Sequence, residues 1–268
     1  EFLAGLDAMF ASHTAKDKAD EYLQQAMADA ENAQDYAGLL TVLNETMGFY
    51  RSQGRHQENQ WIIQRAIELA LRMGLEGTEA WTTTLINAAT SQRAAGNLDQ
   101  AEDLFEQALD AARRTYGPDD RRLAALHNNR SMLFSQTHRR RQAIDELHES
   151  LRILEHSSVD AQSDVDIAST CTNLALAMLD GEDQPTDAEL EEAQSLARRT
   201  LDIYQHAGSD SSAHYASALA GAAHVSFASE DYAEAVRQYQ RALDVIARCY
   251  GEHTDYYRVT AQNLQEAQ

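Results

Sequence analysis

What most constrains this chain is a segment that recurs along it. Leu98-Asp99-Gln100-Ala101-Glu102 leads to Phe105 and then Gln107-Ala108-Leu109-Asp110. Tyr232-Ala233-Glu234-Ala235-Val236 leads in the same way to Tyr239 and Arg241-Ala242-Leu243-Asp244. Between them lie Ala143, Leu147 and Ser150-Leu151, and Ala193, Ala197 and Thr200-Leu201; Asn59, Ala66 and Ile67 open the series. The anchors Asn59, Ala101, Ala143, Ala193 and Ala235 are separated by 42, 42, 50 and 42 residues. The long step holds Asp180-Gly181-Glu182-Asp183-Gln184-Pro185-Thr186-Asp187, which reads as a longer loop. A repeat of this length stacks one supersecondary unit on the next, because no single unit can bury its apolar face.

Upstream of each anchor lies a second helical segment, marked by Asn87, Asn129 and Asn173, with Glu45 and Gly221 in the equivalent places. Each repeat is therefore read as two helices, A and B, joined by a short turn such as Ser52-Gln53-Gly54 or Ala95-Gly96-Asn97. Small residues let helix backbones approach closely, while Leu, Phe and Tyr fill the grooves between them. Only 12 glycines and 2 prolines punctuate 268 residues, too few turn signals for a sandwich or barrel. Alanine is abundant and is the best helix former. Tyr116-Gly117-Pro118-Asp119-Asp120 and Tyr250-Gly251-Glu252-His253-Thr254 supply helix stops and caps between hairpins. Leu3, Leu6 and Phe10 extend the A-helix pattern to the first residues, and Asn263-Leu264 extends it to the last. The expectation is all-α: six hairpins and a terminal helix, forming one solenoid domain over residues 1–268.

Leu85-Ile86-Asn87-Ala88-Ala89, Gly96-Asn97-Leu98-Asp99-Gln100-Ala101-Glu102 and Gln107-Ala108-Leu109 together resemble a tetratricopeptide repeat. The 42-residue step, Asn128-Asn129 and the Tyr-Gly-Pro-Asp-Asp linker are similar to the longer subclass found in kinesin light chains and many bacterial proteins. The likeness is strong from Gly77 to Gln268 and weak from Glu1 to Gly54. It departs at Arg130, where the family places a buried aliphatic residue, and at Arg113, Glu155, Gln205 and Ala247, where a proline often ends the second helix. The resemblance implies a right-handed superhelical solenoid whose A helices line a concave groove that holds a peptide or a helix of a partner.

Projected onto that groove, the expected contact residues are Asn44, Arg51, Asn87, Arg93, Asn128, Asn129, Asn173 and His224, with Gly48, Thr90, Met132, Leu176 and Phe227 among them. Regularly spaced amides can hydrogen-bond an extended backbone, or they can bond to neighbouring helices instead. Arg51 and Arg93 stand one repeat apart and could share a carboxylate.

A formal net charge of −21 repels phosphate backbones and anionic membrane surfaces, so neither nucleic acid nor membrane is an expected partner. Arginine is nonetheless concentrated in the middle. Arg113, Arg114, Arg121, Arg122, Arg130, Arg139, Arg140 and Arg141 face only Asp119 and Asp120 across residues 113–141, which suggests a dock for an acidic partner. The ten histidines include no pair at i+3 or i+4, and Cys171 and Cys249 read as packing residues. No phosphate-cradling loop or nucleophile elbow occurs. No cofactor, metal or catalytic activity is expected, and the two cysteines fit a reducing cytoplasm. The leading expectation is a non-enzymatic protein-interaction scaffold. The alternatives are a peptide-sensing regulator whose effector domain lies outside this chain, and a repeat that associates end to end.

Overall fold

A computed structural model describes residues 16–181 and 184–268. The helix expected around Leu3, Leu6 and Phe10 lies outside the described residues, as do two residues of the long loop. The described elements are all α-helical: α1 (Lys16–Asn32), α2 (Tyr36–Ser52), α3 (His56–Arg72), α4 (Glu79–Ala94), α5 (Leu98–Tyr116), α6 (Arg121–Gln136), α7 (Arg140–Ser157), α8 (Val165–Leu179), α9 (Asp187–His206), α10 (Ala213–Ala228), α11 (Tyr232–Tyr250) and α12 (Asp255–Ala267). The even-numbered helices from α2 to α10 are the A helices of five hairpins, each packed against the B helix that follows.

Helix contacts fall into two compact units that divide after Gly117. In the first, α1 packs on α2, and the α2/α3 hairpin packs on α4/α5 through α2–α4 and α3–α4 contacts. In the second, α7 packs on α8, α9 and α8 on α10, and α12 closes on α11.

The repeated small residues sit where the helices come closest. Ala101, Ala143, Ala193 and Ala235 are all 0% exposed. Seven residues later, Ala66, Ala108, Ser150, Thr200 and Ala242 are also buried. Where a hydroxyl replaces a methyl, it finds a carbonyl on the paired A helix: Ser150 Oγ donates to Ala124 O at 2.9 Å, and Thr200 Oγ1 to Ala168 O at 3.2 Å. Asn59, the polar opening anchor, donates its amide N–H to Met47 O at 3.0 Å, while its buried Oδ1 is without a hydrogen-bond partner among the described residues. Burying the two hydroxyls is tolerable because each is paired.

Caps fix the helix starts. Thr78, Asp120, Asp164, Ser212, Asp231 and Thr254 each accept a backbone N–H of the first turn, and Thr186 forms a full capping box with Glu189. The A–B turn has one geometry in four hairpins, each residue after the C-cap taking positive φ: Gly54 at 68°, Gly96 at 80°, His138 at 57° and Glu230 at 62°. Its N–H bonds back three residues, and the next N–H bonds back five, as in His138 N to Ser135 O and Arg139 N to Phe134 O.

Candidate functional site

The pattern of buried positions recurs along the A helices, so equivalent residues can be named. One row contains Asn44, Ile86, Asn128 and Thr172; the next contains Glu45, Asn87, Asn129, Asn173 and Gly221. Further along the corresponding helices come Gly48, Thr90, Met132, Leu176 and His224, and then Arg51, Arg93 and Phe227. His224 and Met132 are exposed, whereas the amides and both arginines are half-buried.

Within the first unit, the amide of Asn87 donates to Asn44 Oδ1 at 3.0 Å. Asn44 in turn donates to Leu40 O at 3.0 Å and to Thr84 Oγ1 at 3.1 Å. Within the second, Asn173 donates to Asn128 Oδ1 at 2.9 Å, and Asn128 reaches Thr170 Oγ1 at 3.4 Å. The two ladders are the same device, built from a Thr-x-x-Asn segment on one A helix and an Asn on the helix before it. In the next pair of the second unit the rung is steric: a Cβ on Gly221 would stand 3.0 Å from Thr172 Cγ2.

This geometry divides the amides by role. Asn44 has used both amide hydrogens and its carbonyl oxygen within the protein. Asn87 and Asn173 have each committed one hydrogen, and retain a second hydrogen and Oδ1 to offer along the A-helix face. Asn129 and His224 take no part in either ladder. The sequence suggested equivalence among the asparagines; Asn128, not Asn129, makes the bond to Asn173 because the pairing is diagonal between rows.

The arginines also separate. Arg51 Nη1 lies 3.4 Å from Ser91 Oγ, and among the described residues no acidic side chain comes within ion-pairing distance of it. Burial lowers the pKa of Arg51, and the Arg93 guanidinium lowers it further; burial alone lowers that of Arg93. Two like charges are thus held near each other in a partly desolvated place, an arrangement that an incoming anion relieves.

The basic middle of the chain behaves differently. Arg121 grips Asp164 with two bonds of 2.7 and 2.6 Å and reaches Asp166 at 2.6 Å. Arg122 pairs with Asp120 at 2.8 Å. Arg130, at the position expected to be aliphatic, pairs with Glu146 at 2.9 Å beside buried His127, whose Nδ1 lies 2.6 Å from the same carboxylate. Arg139 stacks over Phe134. Arg140 donates to the carbonyls of Ala177 and Met178 at the end of α8, and to Glu189 at 2.8 Å. Much of this local positive charge is therefore committed inside the fold: Arg122 to nearby Asp120, and Arg121, Arg130 and Arg140 to acids outside residues 113–141.

Among the described residues no group of three or more His, Cys, Asp or Glu side chains could hold a metal ion, and no helix is long and apolar enough to cross a membrane. Cys171 is buried, and desolvation pushes its thiol up to about 11, the opposite of what a nucleophile needs.

Residues 79–156 match the tetratricopeptide repeat family. No curated protein matches the sequence. Solved structures with the same fold include BtubC (BKLC) from P. vanneervenii, 20% identical, with 93% of this chain and 94% of that chain covered and a TM-score of 0.69. A putative kinesin light chain with nearly identical TPR-like repeats from Podosopora anserina is 14% identical over 78% of this chain and 95% of that one, with a TM-score of 0.64. The apo form of RapI is 12% identical over 99% of this chain and 70% of that one, with a TM-score of 0.70.

Proposed function

Because residues 79–156 are tetratricopeptide repeats and the chain has the fold of kinesin-light-chain-like repeat proteins, we propose that it is a non-enzymatic scaffold for a partner protein. It holds an extended acidic peptide of that partner on the A-helix face of α2 and α4. The observation that carries this reading is the pair Arg51 and Arg93: partly buried and mutually repelling, with no acid of the described chain beside Arg51. On the same face, the uncommitted hydrogen and oxygen of Asn87 can meet a peptide C=O and N–H. The carboxylate supplies the counter-charge that Arg51 lacks among the described residues, and the amide fixes the main chain without reading sequence.

The test uses fluorescence anisotropy with a labelled peptide alternating glycine and glutamate, and its glutamine counterpart as the control. The glutamate peptide should bind, weaken as salt rises, and lose about tenfold in affinity on Arg51→Ala or Arg93→Ala. Equal binding of the glutamine peptide, or no loss in either variant, sinks the reading.

A further inference from the structure

Gly48 lies in the interior of α2, where glycine weakens a helix relative to alanine and no positive φ requires it. Other glycines in the fold have visible reasons. Gly54 and Gly96 occupy left-handed turns; a Cβ at Gly38 would strike the Asp35 carboxylate, and one at Gly221 would press on Thr172. At Gly48 a Cβ would meet only Arg51 Nη2, at 3.9 Å, among the described residues. Neither backbone conformation nor helix packing accounts for the missing side chain.

Its position supplies a reason. Gly48 sits one turn after Asn44 and just under one turn before Arg51, so all three share the A-helix face. In the equivalent places, Thr90, Met132, Leu176 and His224 fill this row with side chains. On α2 the row is therefore bare between Asn44 and Arg51, whereas on α4 the Thr90 side chain stands between Asn87 and Arg93.

We infer that Gly48 is a specificity-determining notch through which the main chain of an acidic peptide passes. Contact with bare helix backbone there lets a short carboxylate side chain reach Arg51 and Arg93 while the preceding peptide unit meets Asn87. This rests on the proposed reading of the α2–α4 face as an acidic-peptide site, and the positive charge of the two arginines specifies the partner's chemistry. The notch selects an extended acidic segment over a helix, whose side chains would hold its main chain away from Gly48.

The same labelled glycine–glutamate peptide provides the test. Gly48→Leu should weaken its binding about tenfold with helical circular dichroism unchanged, and Gly48→Ala should weaken it less. Gly48→Ala should also raise the melting temperature by about 2–4 °C, because a helix-breaking residue is removed from an open position. If Gly48→Leu binds as the wild type does while Arg51→Ala loses affinity, the notch is overturned and the acidic-peptide site survives. A lower melting temperature for Gly48→Ala would make the glycine a packing residue and also overturn the notch. If the arginine variants retain full affinity, the site itself falls, and the notch with it.

Discussion

The amide of Asn173 donates to Asn128 Oδ1 across 2.9 Å, and Asn87 makes the same bond to Asn44 across 3.0 Å. In each compact unit, then, one asparagine anchors the ladder and the other carries its free end. These residues have the same chemistry and nearly the same place in the repeat, yet they differ in what they have left to give.

Asn128→Ala should cost about 1–2 kcal/mol, because it strips Asn173 of its acceptor and Thr170 of a neighbour in a half-buried place. Asn129→Ala, one residue on and outside the ladder, should stay within about 0.5 kcal/mol. Urea denaturation of the two variants decides it; equal losses would mean that the ladder contributes nothing.

Asp164 should make the second unit acid-sensitive. Two hydrogen bonds from Arg121, aided by Ser158 Oγ, bring its pKa from an ordinary 3.8 down to about 2. The folded carboxylate therefore contributes stability in full above about pH 4 and loses it as the pH falls through about 2. Asp164→Asn should lower the melting temperature at pH 7 and flatten its pH dependence between those limits. An unchanged acid slope would remove Asp164 from the account.

Arg140 ties the end of α8 through Ala177 O and Met178 O, while its neighbour Arg141 is exposed. Arg140→Ala should cost about 1–2 kcal/mol and speed amide exchange in the last turn of α8, whereas Arg141→Ala should change neither. Comparable exchange in both variants would contradict the capping role.

His138 adopts a φ of 57° at a turn position that Gly54 and Gly96 occupy in other hairpins. An L side chain is strained there, so His138→Gly should stabilise by about 0.5–1 kcal/mol despite the greater freedom of glycine in the unfolded chain. Thermal denaturation that shows a loss instead would mean the His138 side chain makes a compensating contact.

How far the site could be read ahead follows from the same residues. Asn87, Asn129 and Asn173 were legible as one row, with Asn44 and Asn128 one residue before it, because the repeat returns them to the same place on each A helix. That Asn128 rather than Asn129 holds Asn173 was not, since two adjacent positions differ only in which neighbouring helix they meet. The Thr at i−3 from Asn87 and from Asn173 was the available signal, and it becomes meaningful only once the helices are side by side. The arginine cluster misled for a related reason: Arg121 meets Asp164, and Arg140 meets Glu189, across gaps that a sequence window does not span.

By itself, the sequence determined the helices, the hairpin length, the small-residue slots and the turn positions, because these depend on propensity, spacing and side-chain volume within one repeat. Ala101, Ala143, Ala193 and Ala235 were readable as close-packing sites for that reason, and all four are fully buried. Tertiary structure alone decided which polar groups are spent. Hydrogen bonds and ion pairs act over a few ångströms between residues tens of positions apart, so Arg121 is committed while Arg51 has no acid among the described residues beside it. The repeat made the face; packing chose which of its groups remain open.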